Sequence, residues 1–234
     1  MQLYKEIYDF QNGEILNFCK PENWSSFDVV KKVRRLIGIK KVGHCGTLDP
    51  FATGVLLICT GRATKRSQEY MALEKEYVGE IELGRTTDTL DSTGNIIHQA
   101  PAAAITESQF KNACSQFFGE IEQVPPMHSA IQLNGVRLYK LARKGQQIDL
   151  PPRRVHVYSI DVLDFTLPIA KIKVVCSKGT YIRALARDIG DFLGCGAHLK
   201  SLCRSKIGNY SIADAWSIQE FQEYIFGLKT AQVL

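Results

Sequence analysis

The sequence has no long apolar run, no Cys-x-x-Cys pair, no internal repeat and no low-complexity tract. Its longest strongly apolar stretch, Val55-Leu56-Leu57-Ile58-Cys59, is far short of the ~20 residues a helix needs to cross a bilayer. The N-terminus, Met1-Gln2-Leu3-Tyr4-Lys5-Glu6, carries charges where a signal peptide places its apolar core. These absences predict a cytoplasmic protein with no membrane partner. Seven cysteines (Cys19, Cys45, Cys59, Cys114, Cys176, Cys195, Cys203) form an odd set, and the five histidines do not join them at zinc-ligand spacing. Scattered cysteines of this kind read as small buried apolar residues, so neither disulfides nor a structural metal is expected. With 45% apolar and 23% charged residues the chain is not a disordered tail, and 234 residues suffice for one large domain or two small ones.

The net charge of +5 is modest, so its distribution carries more information than its size. Basic residues gather at Lys31-Lys32, Arg34-Arg35 and Lys40-Lys41, again at Arg137, Lys140, Arg143, Lys144, Arg153 and Arg154, and from Lys200 through Lys206. A polyanion gains salt-dependent affinity by losing counterions to such a surface, which makes nucleic acid a natural partner. Solvated helix faces explain the same pattern equally well on charge alone.

Periodicity predicts mixed helix and strand. From Ser26 to Ile37, Phe27, Val30, Val33 and Ile37 recur at helical spacing, with Gly38 as a stop. A second helix runs from Thr106 to Phe118, opened by the capping box Thr106-x-x-Gln109 and followed by Gly119. Ile182, Leu185, Ala186, Ile189 and Leu193 mark a third, ended by Gly194, and Ser217-x-x-Glu220 opens a last one with Phe221, Ile225 and Leu228 inward. Strands are expected at Tyr77 to Leu83, Val155 to Leu163 and Lys171 to Cys176. Because strands and helices do not alternate strictly, an α/β fold of the α+β kind is expected, a mixed, mainly antiparallel sheet flanked by helices. The Gly-, Pro- and basic-rich stretch from Pro125 to Pro152 reads as a long excursion from the sheet, where binding residues often sit.

The chemistry should lie in residues that packing explains poorly. His44, Thr47 and Asp49 sit in a Gly-rich stretch just before the apolar run at Val55, on a loop entering or leaving the core. A carboxylate held there and partly desolvated can serve as nucleophile or base, and glycines let a substrate approach the backbone. Asp49-Pro50 is equally a turn, since Asp accepts backbone hydrogen bonds and Pro pre-sets φ.

The complete string narrows this choice. Gly43-His44-x-Gly46-Thr47-Leu48-Asp49-Pro50-x-Ala52-Thr53-Gly54-Val55-Leu56 closely resembles the motif of the TruB-type tRNA pseudouridine synthases. The resemblance continues in Lys20-Pro21 with Ser25-Ser26, in Lys75-Glu76-Tyr77, and in Leu83-Gly84-x-x-Thr87-Asp88-Thr89-x-Asp91-x-x-Gly94. It extends through Pro125-Pro126-Met127-His128-Ser129-Ala130, Cys176-Ser177-Lys178-Gly179-Thr180-Tyr181-Ile182-Arg183 and Gly196-Ala197-His198-Leu199. Departures are Cys45 where threonine is usual, His128 for tyrosine, Gln132 for lysine, and Cys203-Arg204-Ser205 for Arg-Arg-Thr.

The resemblance implies a pseudouridine synthase fold and isomerisation of uridine 55 in the T loop of tRNA, with Asp49 attacking the target nucleotide at the base or at C1′. Tyr77 would stack on the base and help move the C5 proton, and Arg183 would pair with Asp49. His44 would hold the stack opened when the uridine is flipped out, and Tyr181 and Leu202 would complete the pocket wall. The reaction has no redox step, so no cofactor and no metal are implied. The expected partner is the T arm of tRNA, and the protein is expected to be a monomer. Residues 1–234 are read as a single catalytic domain with an RNA-clasping insertion at about 125–152 and no C-terminal RNA-binding (PUA) domain. Two rivals remain in view. A catalytically inactive RNA-binding or tRNA-folding module would not need Asp49, Tyr77 and Arg183 together, and a glycoside-cleaving enzyme would require a second, paired carboxylate.

Overall fold

The computed structural model describes residues 8–129, 132–133, 135–142, 145–146 and 148–231. Met1 to Glu6, and Ala130, Arg143 and Lys144 of the basic excursion, lie outside the described residues. In chain order the elements are β1 (Ile15–Lys20), α1 (Ser26–Ile37), β2 (Val42–His44), β3 (Thr53–Thr60), α2 (Ser67–Ala72), β4 (Lys75–Leu83), β5 (Arg85–Thr87), β6 (Ile96–Gln99) and α3 (Glu107–Ser115), followed by β7 (Gly119–Gln123), β8 (Gln132–Leu133), β9 (Val136–Arg137), α4 (Leu138–Ala142), β10 (Arg153–Thr166), β11 (Ile169–Cys176), α5 (Ile182–Phe192), β12 (Ala197–Ile207), β13 (Tyr210–Ser211) and α6 (Ile218–Ala231). The chain divides into two compact units, Met1–Leu73 with Arg204–Leu234, and Glu74–Cys203.

In the first unit β3 is the centre. It pairs antiparallel with β1, Ile15 opposite Cys59 and Lys20 opposite Gly54, and with β2, Gly43 opposite Cys59. Its burial is nearly continuous from Gly54 to Thr60, as expected of a strand covered on both faces. α1 starts with a reciprocal capping box between Ser25 and Asp28 and ends at Gly38, whose φ of 72° suits a glycine. Its buried face is Ser26, Val29, Val30, Val33 and Leu36. That stripe differs from the expected one: Phe27 is 51% exposed and stacks under the Lys31 ammonium. The face packs with Leu16, Phe18, Leu56 and Ile58 of the strands and with Phe221 and Ile225 of α6. α6 is capped as expected, Ser217 N–H donating to the Glu220 carboxylate and Glu220 N–H to the Ser217 hydroxyl.

In the second unit the order β4-β11-β10-β7 is antiparallel throughout. β4 alternates strictly between buried and half-buried positions, which puts Lys75, Tyr77, Gly79, Ile81 and Leu83 on the buried face. α3 carries the expected Thr106/Gln109 box but stops at Ser115, earlier than expected, because Gly119 already belongs to β7. α5 buries Ile182, Leu185, Ala186 and Ile189, and closes so tightly on β12 that a Cβ on Gly190 would lie 2.3 Å from the Ala197 nitrogen. The fold is thus α/β in the α+β sense, with a mainly antiparallel sheet and flanking helices, as expected. Among the described residues no helix is long and apolar enough to cross a membrane.

The Phe18–Phe221 pair, ring centroids 5.0 Å apart and both side chains fully buried, joins sheet and helix in the first unit. Phe221→Ala should lower unfolding stability by about 3–5 kcal/mol, read as a fall in the urea midpoint with little change in slope.

Candidate active site

The loop between β2 and β3 is held from several directions, all within the first unit. On one side is Lys20, the last residue of β1, whose ammonium is wholly buried and donates to the carbonyls of Pro21 at 2.8 Å, Trp24 at 2.7 Å and Pro50 at 3.1 Å. On another is Arg204, 1% exposed, whose Nε donates to the Val55 carbonyl at 2.8 Å while the guanidinium ends reach the carbonyls of Gly46 at 3.3 Å and Thr47 at 3.5 Å. Ser26, in the first turn of α1, closes a two-way latch on Leu48: its hydroxyl accepts from the Leu48 N–H at 2.8 Å and donates to the Leu48 carbonyl at 3.2 Å. Asn23 N–H adds a 2.8 Å bond to the Pro50 carbonyl.

Inside this frame Asp49 is half-buried, and its carbonyl accepts from Ala52 N–H at 3.1 Å. The turn reading of Asp49-Pro50 is therefore correct for the backbone, and the bond that closes the turn uses the Asp49 carbonyl, not its carboxylate. His44 is half-buried at the end of β2, opposite Ile58. Burial pushes the Lys20 ammonium down from its ordinary 10.5 to about 8; the Asp49 carboxylate opposes this, and the positive charge of Arg204 adds to it. The attraction between Lys20 and Asp49 acts on both partners alike.

The remaining expected residues belong to the second unit. Tyr77 is 9% exposed on the buried face of β4, opposite Val174. Leu202 is 8% exposed on β12. Tyr181 is half-buried at the N-cap of α5, its N–H donating to the Gln123 side-chain oxygen at 2.8 Å. Arg183, in the first turn of α5, is only 3% exposed, so it is not a surface arginine. Its guanidinium pairs with Asp91 at 3.2 Å and donates to the carbonyls of Thr89 at 2.9 Å and His128 at 2.8 Å. Asp91 in turn accepts from the Thr89 hydroxyl at 2.8 Å and from the Thr93 N–H and hydroxyl at 3.0 and 2.6 Å. Leu90, with φ 63°, turns the chain so that these groups converge.

Sequence reasoning did not assign Lys20, Ser26, Arg204 or Asp91 a role. Lys20, Ser26 and Asp91 lay in the quoted motifs, but nothing local distinguishes a buried ion from a surface one. Arg204 was grouped with the basic surface from Lys200 to Lys206, and the structure corrects this. β12 exposes Lys200 and Lys206 and buries Arg204. Among the described residues no group of three or more His, Cys, Asp or Glu is placed to hold a metal ion.

Comparison with known proteins gives a consistent result. Residues 34–182 match the TruB family pseudouridylate synthase (N terminal domain), and residues 183–232 match the tRNA pseudouridylate synthase B C-terminal domain. The chain is 47% identical over 223 residues to a Phocaeicola vulgatus protein named tRNA pseudouridine synthase B, covering 93% of this chain and 95% of that one. A Clostridium tetani protein of the same name is 47% identical over 212 residues, covering 91% and 73%. Among solved structures, the chain resembles one from a Cbf5-Nop10-Gar1 complex with a TM-score of 0.74 and 28% identity, and one from an H/ACA RNP bound to a substrate RNA containing 2′-deoxyuridine with a TM-score of 0.71 and 26% identity. It covers 94% and 95% of itself in these matches and spans 56% of each solved chain.

Two measurements test this geometry. Asp91→Ala removes the carboxylate that pairs with the buried Arg183 cation at 3.2 Å and should cost about 3–5 kcal/mol of stability, measured by urea denaturation. Lys20 binds its proton less tightly when folded than when unfolded, so its contribution to stability is flat below about pH 8 and grows as pH rises from about 8 toward 10.5. The stability of the protein relative to Lys20→Met should therefore rise over that window; a constant difference from pH 7 to 10 would contradict the assignment.

Proposed function

The chain belongs to the TruB family of pseudouridylate synthases, and we propose that it isomerises uridine 55 in the T loop of tRNA to pseudouridine, with Asp49 as the nucleophile. The observation that supports this best is the loop itself. A half-buried carboxylate stands on a backbone whose carbonyls are bound by two buried cations and a serine latch. Such a loop does not have to reorganise to present a charged nucleophile, which is what covalent catalysis requires of it.

In this reading the target uridine is flipped from the RNA stack, with His44 holding the opened stack and Tyr181 and Leu202 forming the wall of the base pocket. Asp49 attacks the nucleotide at the base or at C1′, and the N1–C1′ bond breaks. Uracil rotates, C5 bonds to C1′, and the C5 proton leaves with the help of Tyr77, which also stacks on the base. Arg183 keeps Asp49 ionised and oriented. Substrate and product are isomers, so the chemistry calls for neither oxidant nor energy source, and no cofactor or metal is assigned. Residues 1–234 act as the catalytic domain, residues at about 125–152 clasp the T arm, and the protein works as a monomer in the cytoplasm.

Incubation with an unmodified tRNA transcript, followed by carbodiimide-stopped reverse transcription, should show conversion at uridine 55 without added cofactor. Lack of conversion by folded protein on several tRNAs would overturn the proposal and favour an RNA-binding or tRNA-folding module. Asp49→Asn should reduce turnover about 1000-fold or more while tRNA affinity changes little. A loss of binding equal to the loss of rate would instead make Asp49 an RNA ligand.

A further inference from the structure

Cys45 is the residue of the motif that departs from the family pattern, and the structure gives it a neighbour of the same kind. Gly43 lies opposite Cys59 and His44 opposite Ile58 in the β2–β3 ladder, and Cys45 N–H donates to the Leu57 carbonyl at 2.8 Å. Side chains two apart share a face of a strand, so Cys45 and Cys59 are diagonal neighbours on one side of the hairpin. Their sulfurs are 2.7 Å apart, less than an ångström beyond the ~2.05 Å of a disulfide bond. Both side chains are fully buried, among Val55, Leu57, Ala63 and Ile207.

We propose that Cys45 and Cys59 are a reversible dithiol/disulfide pair, a site of oxidative modification at the foot of the loop that carries Asp49. The sulfurs need only close by a fraction of an ångström for the bond to form, and the strand register does not have to change. The oxidant is a small hydroperoxide. Cys59 is the attacking sulfur: its hydrogen bond with Cys45 holds the thiol below its usual range, against burial and with help from the Arg66 charge. The Cys59 thiolate attacks the peroxide oxygen, the O–O bond breaks, and an alcohol leaves, giving a sulfenic acid on Cys59. The Cys45 sulfur then displaces water from it, so two thiols and one hydroperoxide yield one disulfide, one alcohol and one water. A small dithiol reverses the bond by exchange. Because the pair is buried, a peroxide reaches it more slowly than it reaches the half-buried Cys19 and Cys203. The disulfide closes a ring from residue 45 to residue 59 that contains Asp49, which restricts the loop and the unfolded chain together.

The test uses the whole protein and does not depend on turnover, so it succeeds or fails separately from the function proposed above. The reduced protein is treated with tert-butyl hydroperoxide, alkylated, digested and mapped by mass spectrometry. The expected result is a peptide pair linked through Cys45 and Cys59, lost on treatment with dithiothreitol, and a thermal midpoint about 5 °C above that of the reduced protein. Cys45→Thr and Cys45→Ala should each lack both the link and the shift. Recovery of Cys45 and Cys59 as alkylated thiols after oxidation has continued well beyond the point at which Cys19 and Cys203 are fully oxidised, or as separate sulfinic acids at any point, would overturn the proposal.

Discussion

The first unit is organised around the burial of two cations, Lys20 and Arg204, against the carbonyls of one loop. Removing an ammonium or a guanidinium from water costs several kcal/mol even after relaxation, so neither group would stay buried without partners that offset the loss. Three carbonyls surround Lys20 and three surround Arg204, and the Asp49 carboxylate supplies the negative charge that favours the ionised Lys20. Because the carbonyls of Gly46, Thr47, Pro50 and Val55 are among them, satisfying the cations and shaping the loop are the same event. A local motif of a dozen residues cannot do this alone. It needs the end of β1, the start of α1 and a residue of β12 about 150 positions later in the chain.

The second unit uses the same physics on a smaller scale. Arg183 is carried inward by α5, and its charge is met by Asp91, 92 residues earlier, with the carbonyls of Thr89 and His128 taking further N–H groups. Asp91 is itself fixed by Thr89 and Thr93, so the ion pair sits in a network in which its carboxylate has several further bonds. The His128 departure from the family pattern does not disturb this, since Arg183 uses the carbonyl at that position and not the side chain. A group so thoroughly bound has a defined orientation, which is the property the proposed role of Arg183 requires.

Much of this fold was legible in the sequence, and what was not has common causes. The starts of α3 and α6 were readable because a capping box is a local interaction between residues three apart, and α1 was readable from its helical spacing and the Gly38 stop, its own capping box emerging only in the structure. β4, β10 and β11 were readable from alternation and β-branching. β1 and β12 were not: β1 is buried almost continuously, and β12 interrupts its apolar positions with Lys200, Arg204 and Lys206, so neither shows a clean period of two. The same interruption hid the burial of Arg204, because a basic residue between exposed lysines reads as surface. The Asp91–Arg183 pair was invisible for another reason. Both residues were in recognised motifs, but no local rule pairs positions so far apart in sequence. The candidate loop was legible as a string long before its supports were.

The glycines of that loop show what the structure adds to the string. Read from the sequence, they offered a substrate close access to the backbone. In the structure Gly54 instead admits another strand of the protein. Its φ is 102°, and a Cβ there would stand 2.3 Å from the Arg204 carbonyl oxygen. Gly46, with φ 104°, has open space around it apart from the Arg204 guanidinium at 3.9 Å, so conformation and not crowding calls for glycine at that position. Gly46 turns its carbonyl toward the Arg204 guanidinium, and Gly54 lets the backbone of β3 come close enough to β12 for the Arg204 side chain to reach Val55. Positions 46, 54 and 204 therefore form one packing unit: enlarging either glycine would move the carbonyls that bind the buried cation, and the charge would then lose the partners that keep it inside.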